Sequence, residues 1–315
     1  MADGTSTVSA QALSAYGRST QRGALKRFAQ RRSTIAVLMC LPLIALILGL
    51  VVYPFFYSIW LSLLNRAMTK FNDFFNYRYL FRSQTFHLVI FQSCFFAITA
   101  VFFKALIGFV LAHVMHNISG KDQRLWRGIL LVPWVIPPAL STLGWWWMLS
   151  GNYSAINWLL AQIGIHPIAW LANTWWSRIW VTTVNIWYGT PFFMIMYLAT
   201  LKSVPDQLYE AAMIDGATWL QKIRYVSLPM LRNIISITVL FSLIVTFANF
   251  DIVENLTAGA PANTTHVFAT YAFQLGIQAG NIPLGAAVSL FIFPILAIFS
   301  IFILRGVGRR AREGI

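Results

Sequence analysis

Acidic residues are scarce in this chain: nine Asp and Glu stand against 23 Lys and Arg among 315 residues, and charged residues of both signs make up only 10%. An ordinary soluble domain carries roughly 25%, so a solvated charged surface is missing. Cysteine is nearly absent. Cys40 and Cys94 both lie inside apolar stretches, which excludes a disulfide framework and zinc-ligand spacing. His113 and His116 have helical i, i+3 spacing, but two ligands without a third do not make a metal site. No Gly-x-x-x-x-Gly-Lys-Ser/Thr loop occurs, so the chain has no phosphate loop with which to bind ATP in the usual way.

What fills the sequence instead is apolar side chain, 58% of all residues. Crossing ~30 Å of hydrocarbon takes about 20 apolar residues, and six stretches qualify, at about residues 33–64, 86–115, 125–149, 175–201, 229–250 and 284–305. The fold class is therefore all-α, a polytopic membrane protein with six transmembrane helices. The first stretch is too long for the apolar core of a cleaved signal peptide and follows some thirty polar, basic residues. Residues 1–32 read as a basic tail and 33–315 as the transmembrane domain.

Basic residues set the orientation, because cytoplasmic loops hold the excess of positive charge. Arg18 to Arg32 precede the first span; Lys121, Arg124 and Arg127 join spans two and three; Lys202, Lys222, Arg224 and Arg232 join four and five; Arg305 to Arg312 follow the sixth. Seventeen of the 23 basic residues thus share one side, and both termini are expected in the cytoplasm. The charge is topology, lying near anionic lipid, and not a nucleic-acid footprint. Arg66, Lys70, Arg78 and Arg82 break the rule on the outer side, either as a solvated loop or as a surface for an acidic partner. Segments 152–170 and 259–283 are too broken to span and read as outer surface segments that roof a cavity between helices. Sequons at Asn152, Asn255 and Asn263 carry no weight without a eukaryotic context.

The segment 205–229 is the most informative. Pro205-Asp206 makes a helix start and Asp215-Gly216 a stop, followed by a second short helix and then Pro229 opening the fifth span. Leu208, Ala211, Ala212 and Ile214 give the first helix an apolar, small-residue face. That face either folds back on the protein's own helices or docks into a cytoplasmic partner.

Glu210-Ala211-Ala212, Gly216, Val226 and Leu228-Pro229 resemble the signature loop of the membrane subunits of bacterial binding-protein-dependent ABC importers, with valine where isoleucine is usual. The resemblance runs from the second span to the C-terminus and is closest to the carbohydrate branch, which includes maltose and glycerol-phosphate permeases. It implies a type I importer permease fold in the bacterial inner membrane, with Glu210, Ala211, Ala212, Asp215 and Gly216 in the coupling contact to an ATPase subunit. It also implies a second permease subunit, more often a different chain than an identical one, two ATP-binding subunits that hold ATP and Mg, and an extracytoplasmic solute-binding protein. No cofactor is expected in this chain.

Three further stretches resemble the maltose-type subunit: Val132 to Pro138, Val184 to Gly189, and Ser242 to Asn249. Carried over by position, the solute contacts would be Trp134, Pro138, Asn185, Trp187, Tyr188, Gly189, Ser242, Thr246 and Asn249. Amides and hydroxyls exchange hydrogen bonds with sugar hydroxyls, and aromatic faces cover a sugar ring's C–H surface. Trp134, Pro138 and Thr246 depart from the maltose type, which leaves the sugar open. Trp187 and Tyr188 are consecutive and point about 100° apart on a helix. Lys104 lies inside the second span, where a charge is functional by default or snorkels to the interface; snorkelling is the reading the sequence favours. A membrane enzyme acting on a lipid-linked sugar is the alternative function, and it would need carboxylates, His or Arg converging at one face. An ion-driven transporter would need intramembrane carboxylates or an internal repeat.

Overall fold

The computed structural model describes residues 32–118, 120–151 and 154–312, with side chains placed between residues 39 and 306. The tail expected over 1–32 and the sequon at Asn152 lie outside the described residues, except Arg32, which starts the first helix. The chain divides into two compact units between Ser58 and Ile59. In the first, α1 (Arg32–Ile47) passes through a π turn, Leu48–Val52, into α2 (Tyr53–Ser62), whose last four residues belong to the second unit. Together they supply one apolar span, Met39–Ser62.

The regular elements of the second unit are all helices, and among its described residues the strand-like pairing is an isolated bridge between Leu64 and Phe71. The turn after α2 is held by side-chain amides: Asn76 Nδ2 donates to the Ser62 and Leu64 carbonyls at 2.8 and 2.9 Å, and Asn72 Nδ2 to Leu64 at 2.8 Å. Two of its four basic residues satisfy backbone, Arg66 on the Ala279 carbonyl and Arg78 on that of Asp73. Both side chains remain exposed. After α3 (Phe75–Arg82), Ser83 caps α4 (Gln84–Asn117) by accepting from the Phe86 amide. At 34 residues α4 is about 51 Å long.

The third expected span is two helices, α5 (Gly120–Val135) and α6 (Pro138–Leu149), bent by 90° at their junction. Pro137 and Pro138 lack amide protons, so the i→i−4 ladder fails twice in succession and the chain turns. The pair still crosses once. Lys104 packs on Gly189 and Gly108 on Phe193, so α4 and α8 (Thr174–Leu201) advance in step and run parallel. Parallel neighbours require an odd number of crossings between them. A short helix, α7 (Ala155–Gln162), capped by Ser154, lies between α6 and α8.

After α9 (Asp206–Ile214) the expected separate short helix is α10 (Trp219–Lys222), but it does not stop. It continues through a π turn, Ile223–Ser227, into α11 (Leu228–Phe247), a single 29-residue helix. Both this π turn and the one at Leu48–Val52 end one residue short of a proline, Pro229 and Pro54: Leu228 N–H reaches back to the Ile223 carbonyl and Tyr53 N–H to that of Leu48. A proline ring clashes with the carbonyl four residues earlier, and widening the helix ahead of it relieves the clash without breaking the rod.

The segment 259–283 departs most from expectation. Past α12 (Asp251–Leu256) it enters the core as α13 (Phe268–Phe273), which runs through a third π turn, Gln274–Gln278. Thr265, His266, Phe268 and Thr270 are buried, and the Phe268 amide donates to Ser93 Oγ on α4 at 3.0 Å. It packs against α14 (Ile282–Leu290), where Gly276 and Gly285 bring the two backbones into contact. Small residues permit such close approach inside membranes. The last helix is α15 (Ile292–Arg312).

Candidate functional site

Helices α4, α8 and α11 pack on one another, and Lys104 sits where the three meet. Its side chain is 4% exposed. A Cβ at Gly189 would lie 2.6 Å from Lys104 Cε, so the missing side chain on α8 makes room for the lysine stem. Lys104 Nζ donates to Thr246 Oγ1 on α11 at 3.1 Å. The snorkelling reading is therefore corrected: the lysine turns inward, because glycine at 189 leaves a channel toward Thr246 that a larger residue would close.

Of the solute contacts implied by resemblance, Gly189 and Thr246 meet at this lysine. Ser242, one turn before Thr246 on α11, is buried. Asn185, one turn before Gly189, is 2% exposed, and its Oδ1 has no hydrogen-bond partner. A buried amide oxygen without a donor costs free energy, and it marks a place where a ligand hydroxyl or water would be stabilised. Farther along α4, Gln92 is fully buried with both amide atoms unpartnered.

The remaining residues stand apart from Lys104. Trp134 is 45% exposed and stacks obliquely on Phe192 at 5.9 Å, which in turn meets Phe241 at 5.2 Å. Trp187 meets Trp145 edge-on at 5.6 Å, and Tyr188 packs in the cluster around Phe96 and Val184. Asn249 Oδ1 accepts from the Ile252 amide in the first turn of α12 at 3.3 Å. The Pro138 carbonyl accepts from Ser141 and Thr142. Lys104 is not among the contacts carried over by resemblance; its sequence signal is a cation amid apolar residues.

At the far end of α8, helix α9 contains no buried residue. Ile214 is 87% exposed, and Glu210, Ala211, Asp215 and Gly216 are exposed with Ala212 half-buried. This face does not fold back on the chain's own helices. Gly216 ends the helix at φ +73° with nothing near its would-be Cβ, a left-handed stop that suits glycine. Tyr209 OH and Ser227 Oγ, 3.0 Å apart, pin α9 to the π turn at the base of α11. Beside them His113, His116, Asp206 and Lys222 line a cavity of about 220 Å³. Among the described residues no group of three His, Cys, Asp or Glu lies together to hold a metal.

At the α7 end, a cavity of about 390 Å³ is lined by Trp146, Gly151, Trp170, Leu171, Leu256 and Ala260, among others, so both broken segments contribute to it. Asn157 organises the first: its Nδ2 donates to the Gly151 and Ile168 carbonyls, and its Oδ1 accepts from the Ile168 amide and Trp170 Nε1, at 2.9 to 3.2 Å. In the second, His266 covers Gly259, whose φ is +86°. Burial pushes the His266 imidazole down to about 4 and raises the Glu254 carboxyl.

Comparison with known proteins places this architecture. The family described as binding-protein-dependent transport system inner membrane component matches residues 104–313. The trehalose/maltose transport system permease protein MalF of Thermococcus litoralis is 29% identical over 90% of this chain and 96% of its own. A probable ABC transporter permease protein of Sinorhizobium fredii is 32% identical over 87% of this chain and 91% of its own. Among solved structures, a bacterial ABC transporter involved in the import of the acidic polysaccharide alginate has a chain that superimposes with a TM-score of 0.79 at 24% identity, covering 91% of this chain and 99% of that one. These curated relatives are permease proteins, not enzymes acting on lipid-linked sugars.

Proposed function

We propose a role in sugar uptake from one premise: the chain belongs to the family of binding-protein-dependent transport system inner membrane components and is an inner-membrane permease subunit of an ABC importer. The solute is a sugar or sugar derivative, a reading supported by a relative named for trehalose and maltose. It passes along the α4, α8 and α11 crossing, with Asn185, Gly189, Ser242 and Thr246 nearest to it and Trp134, Trp187, Tyr188 and Asn249 toward its margins. A second permease, a different chain, completes the pathway. Two ATP-binding subunits hold ATP and Mg, and an extracytoplasmic binding protein delivers the solute to the α7 end.

The observation that carries this reading is α9. It is an exposed nine-residue helix with a small-residue face and a glycine stop, tethered through Tyr209 and Ser227 to the base of a helix that reaches Thr246. An isolated helix this short is marginal in water, so a partner surface suits it. The basic side of the chain, which carries α9, is then cytoplasmic. ATP-driven closure of the two ATPase subunits would move α9, and α11 with it, so that the site opens alternately to the two sides.

The test is to purify the chain with its co-encoded neighbours in nanodiscs and measure ATPase activity with candidate sugars plus binding protein. Stimulation by one sugar, lost in Glu210→Ala and Gly216→Val, is the expected result. Full stimulation and uptake in Gly216→Val would overturn the coupling role of α9.

A further inference from the structure

We propose that Lys104 makes this permease selective for an anionic sugar derivative, one bearing a carboxylate, sulfonate or phosphate beside its hydroxyls. The inference rests on the solute pathway passing the α4, α8 and α11 crossing. Lys104 lies about 5 Å along the axis from the midpoint of α4, so its ammonium is held deep in the membrane-spanning region and 4% exposed. Among the described residues no carboxylate pairs with it. None of the nine acidic residues occurs in α4, α8 or α11, and its one protein partner among the described residues is the neutral Thr246 hydroxyl.

The other buried cation of the bundle shows what a structural role looks like. Arg178 donates from Nε to the Thr264 carbonyl at 3.1 Å and lies over the rings of Phe91 and Trp175 at 5.6 and 5.0 Å. Lys104 has no such cage. An ammonium has three donors, and here two are without a protein acceptor. One turn from its contact residue Gly189, the buried Oδ1 of Asn185 lacks a donor. The pair is complementary to a single ligand: an anionic group on the lysine and a hydroxyl that donates to Asn185. A buried unpaired charge is costly, and an arriving anion relieves that cost. Gly189 is what admits the lysine to this position.

The experiment uses the full complex with its binding protein in proteoliposomes. Uptake is compared within matched probe pairs, digalacturonate against digalactose and trehalose 6-phosphate against trehalose, which separate carboxylate from phosphate ester. The expected result is at least tenfold faster uptake of an acidic member than of its neutral partner, and loss of that preference in Lys104→Met with part of it kept in Lys104→Arg. Gly189→Ala, which displaces the lysine tip without removing it, should lower uptake of the same acidic probe. Preference for a neutral probe, or an acid preference unchanged in Lys104→Met, overturns the proposal. In either event Asn185→Leu locates the fault: if it abolishes uptake the pathway stands and only the anion is wrong, and if it has no effect the pathway itself is wrong.

Discussion

Replacing Gly285 with alanine should cost this protein far more than the same change at Gly276, although the two glycines face each other. A methyl carbon on Gly285 would stand 2.6 Å from Gly276 Cα, 2.7 Å from the Ala272 carbonyl oxygen and 2.8 Å from the Gly276 nitrogen. Carbon atoms settle at about 3.5–4.0 Å, so the backbones would have to part by about 1 Å. All three neighbours are main chain, and no rotamer change can yield. Overpacking typically costs about 1–3 kcal/mol, and the upper end applies here. At roughly 2–4 °C per kcal/mol for a domain of this size, Gly285→Ala should melt roughly 6–12 °C lower. A methyl carbon on Gly276 meets only Gly285 Cα, at 3.5 Å, so Gly276→Ala should melt within about 2 °C of the wild type. Tryptophan fluorescence during heating of the nanodisc complex reads both. Equal shifts, or a silent Gly285→Ala, would refute the close approach of α13 and α14.

Asn157→Leu removes four hydrogen bonds from a buried centre and should free Trp170, read as a red shift and gain in quenching of its fluorescence, with a stability loss of about 3 kcal/mol or more. Tyr209→Phe breaks the tether to Ser227 and should lower uptake per ATP hydrolysed while leaving sugar binding to the binding protein unchanged; unaltered coupling counts against the tether. His266 is held neutral by burial, with its pKa lowered from 6.5 to about 4. The unfolded chain therefore takes up the proton first, so stability is full above pH 6.5 and declines as pH falls toward 4. Melting curves of His266→Gln should lack that part of the decline.

What could be read in the sequence was local. The bounds of α9 follow from Pro205-Asp206 and Asp215-Gly216 because a proline start and a glycine stop act within one turn. The spans followed from length and apolarity alone. The bend between α5 and α6 was foreshadowed by three prolines, but its angle depends on how α6 packs against α12, which no run of residues encodes. Lys104 was misread for the same reason: whether a lysine snorkels or turns inward was decided by Gly189, 85 positions away in the chain. The buried Phe268 amide is satisfied by Ser93 of α4, whose Oγ accepts its hydrogen bond. Turn residues on either side made that segment look like surface, whereas their tight geometry is what folds it back into the core.

The unbroken passage from α10 through the π turn into α11 gives the molecule leverage. Trp219 and Thr246 are ends of one rod about 40 Å apart. Tilting such a rod by about 5° at its α9 end sweeps Thr246 through about 3.5 Å, more than the 3.1 Å that separates it from the Lys104 ammonium. A few degrees at the α9 end is therefore enough to part Thr246 from the lysine. Under the proposed coupling, the angle of α11, set where Tyr209 holds it, would govern when that grip opens.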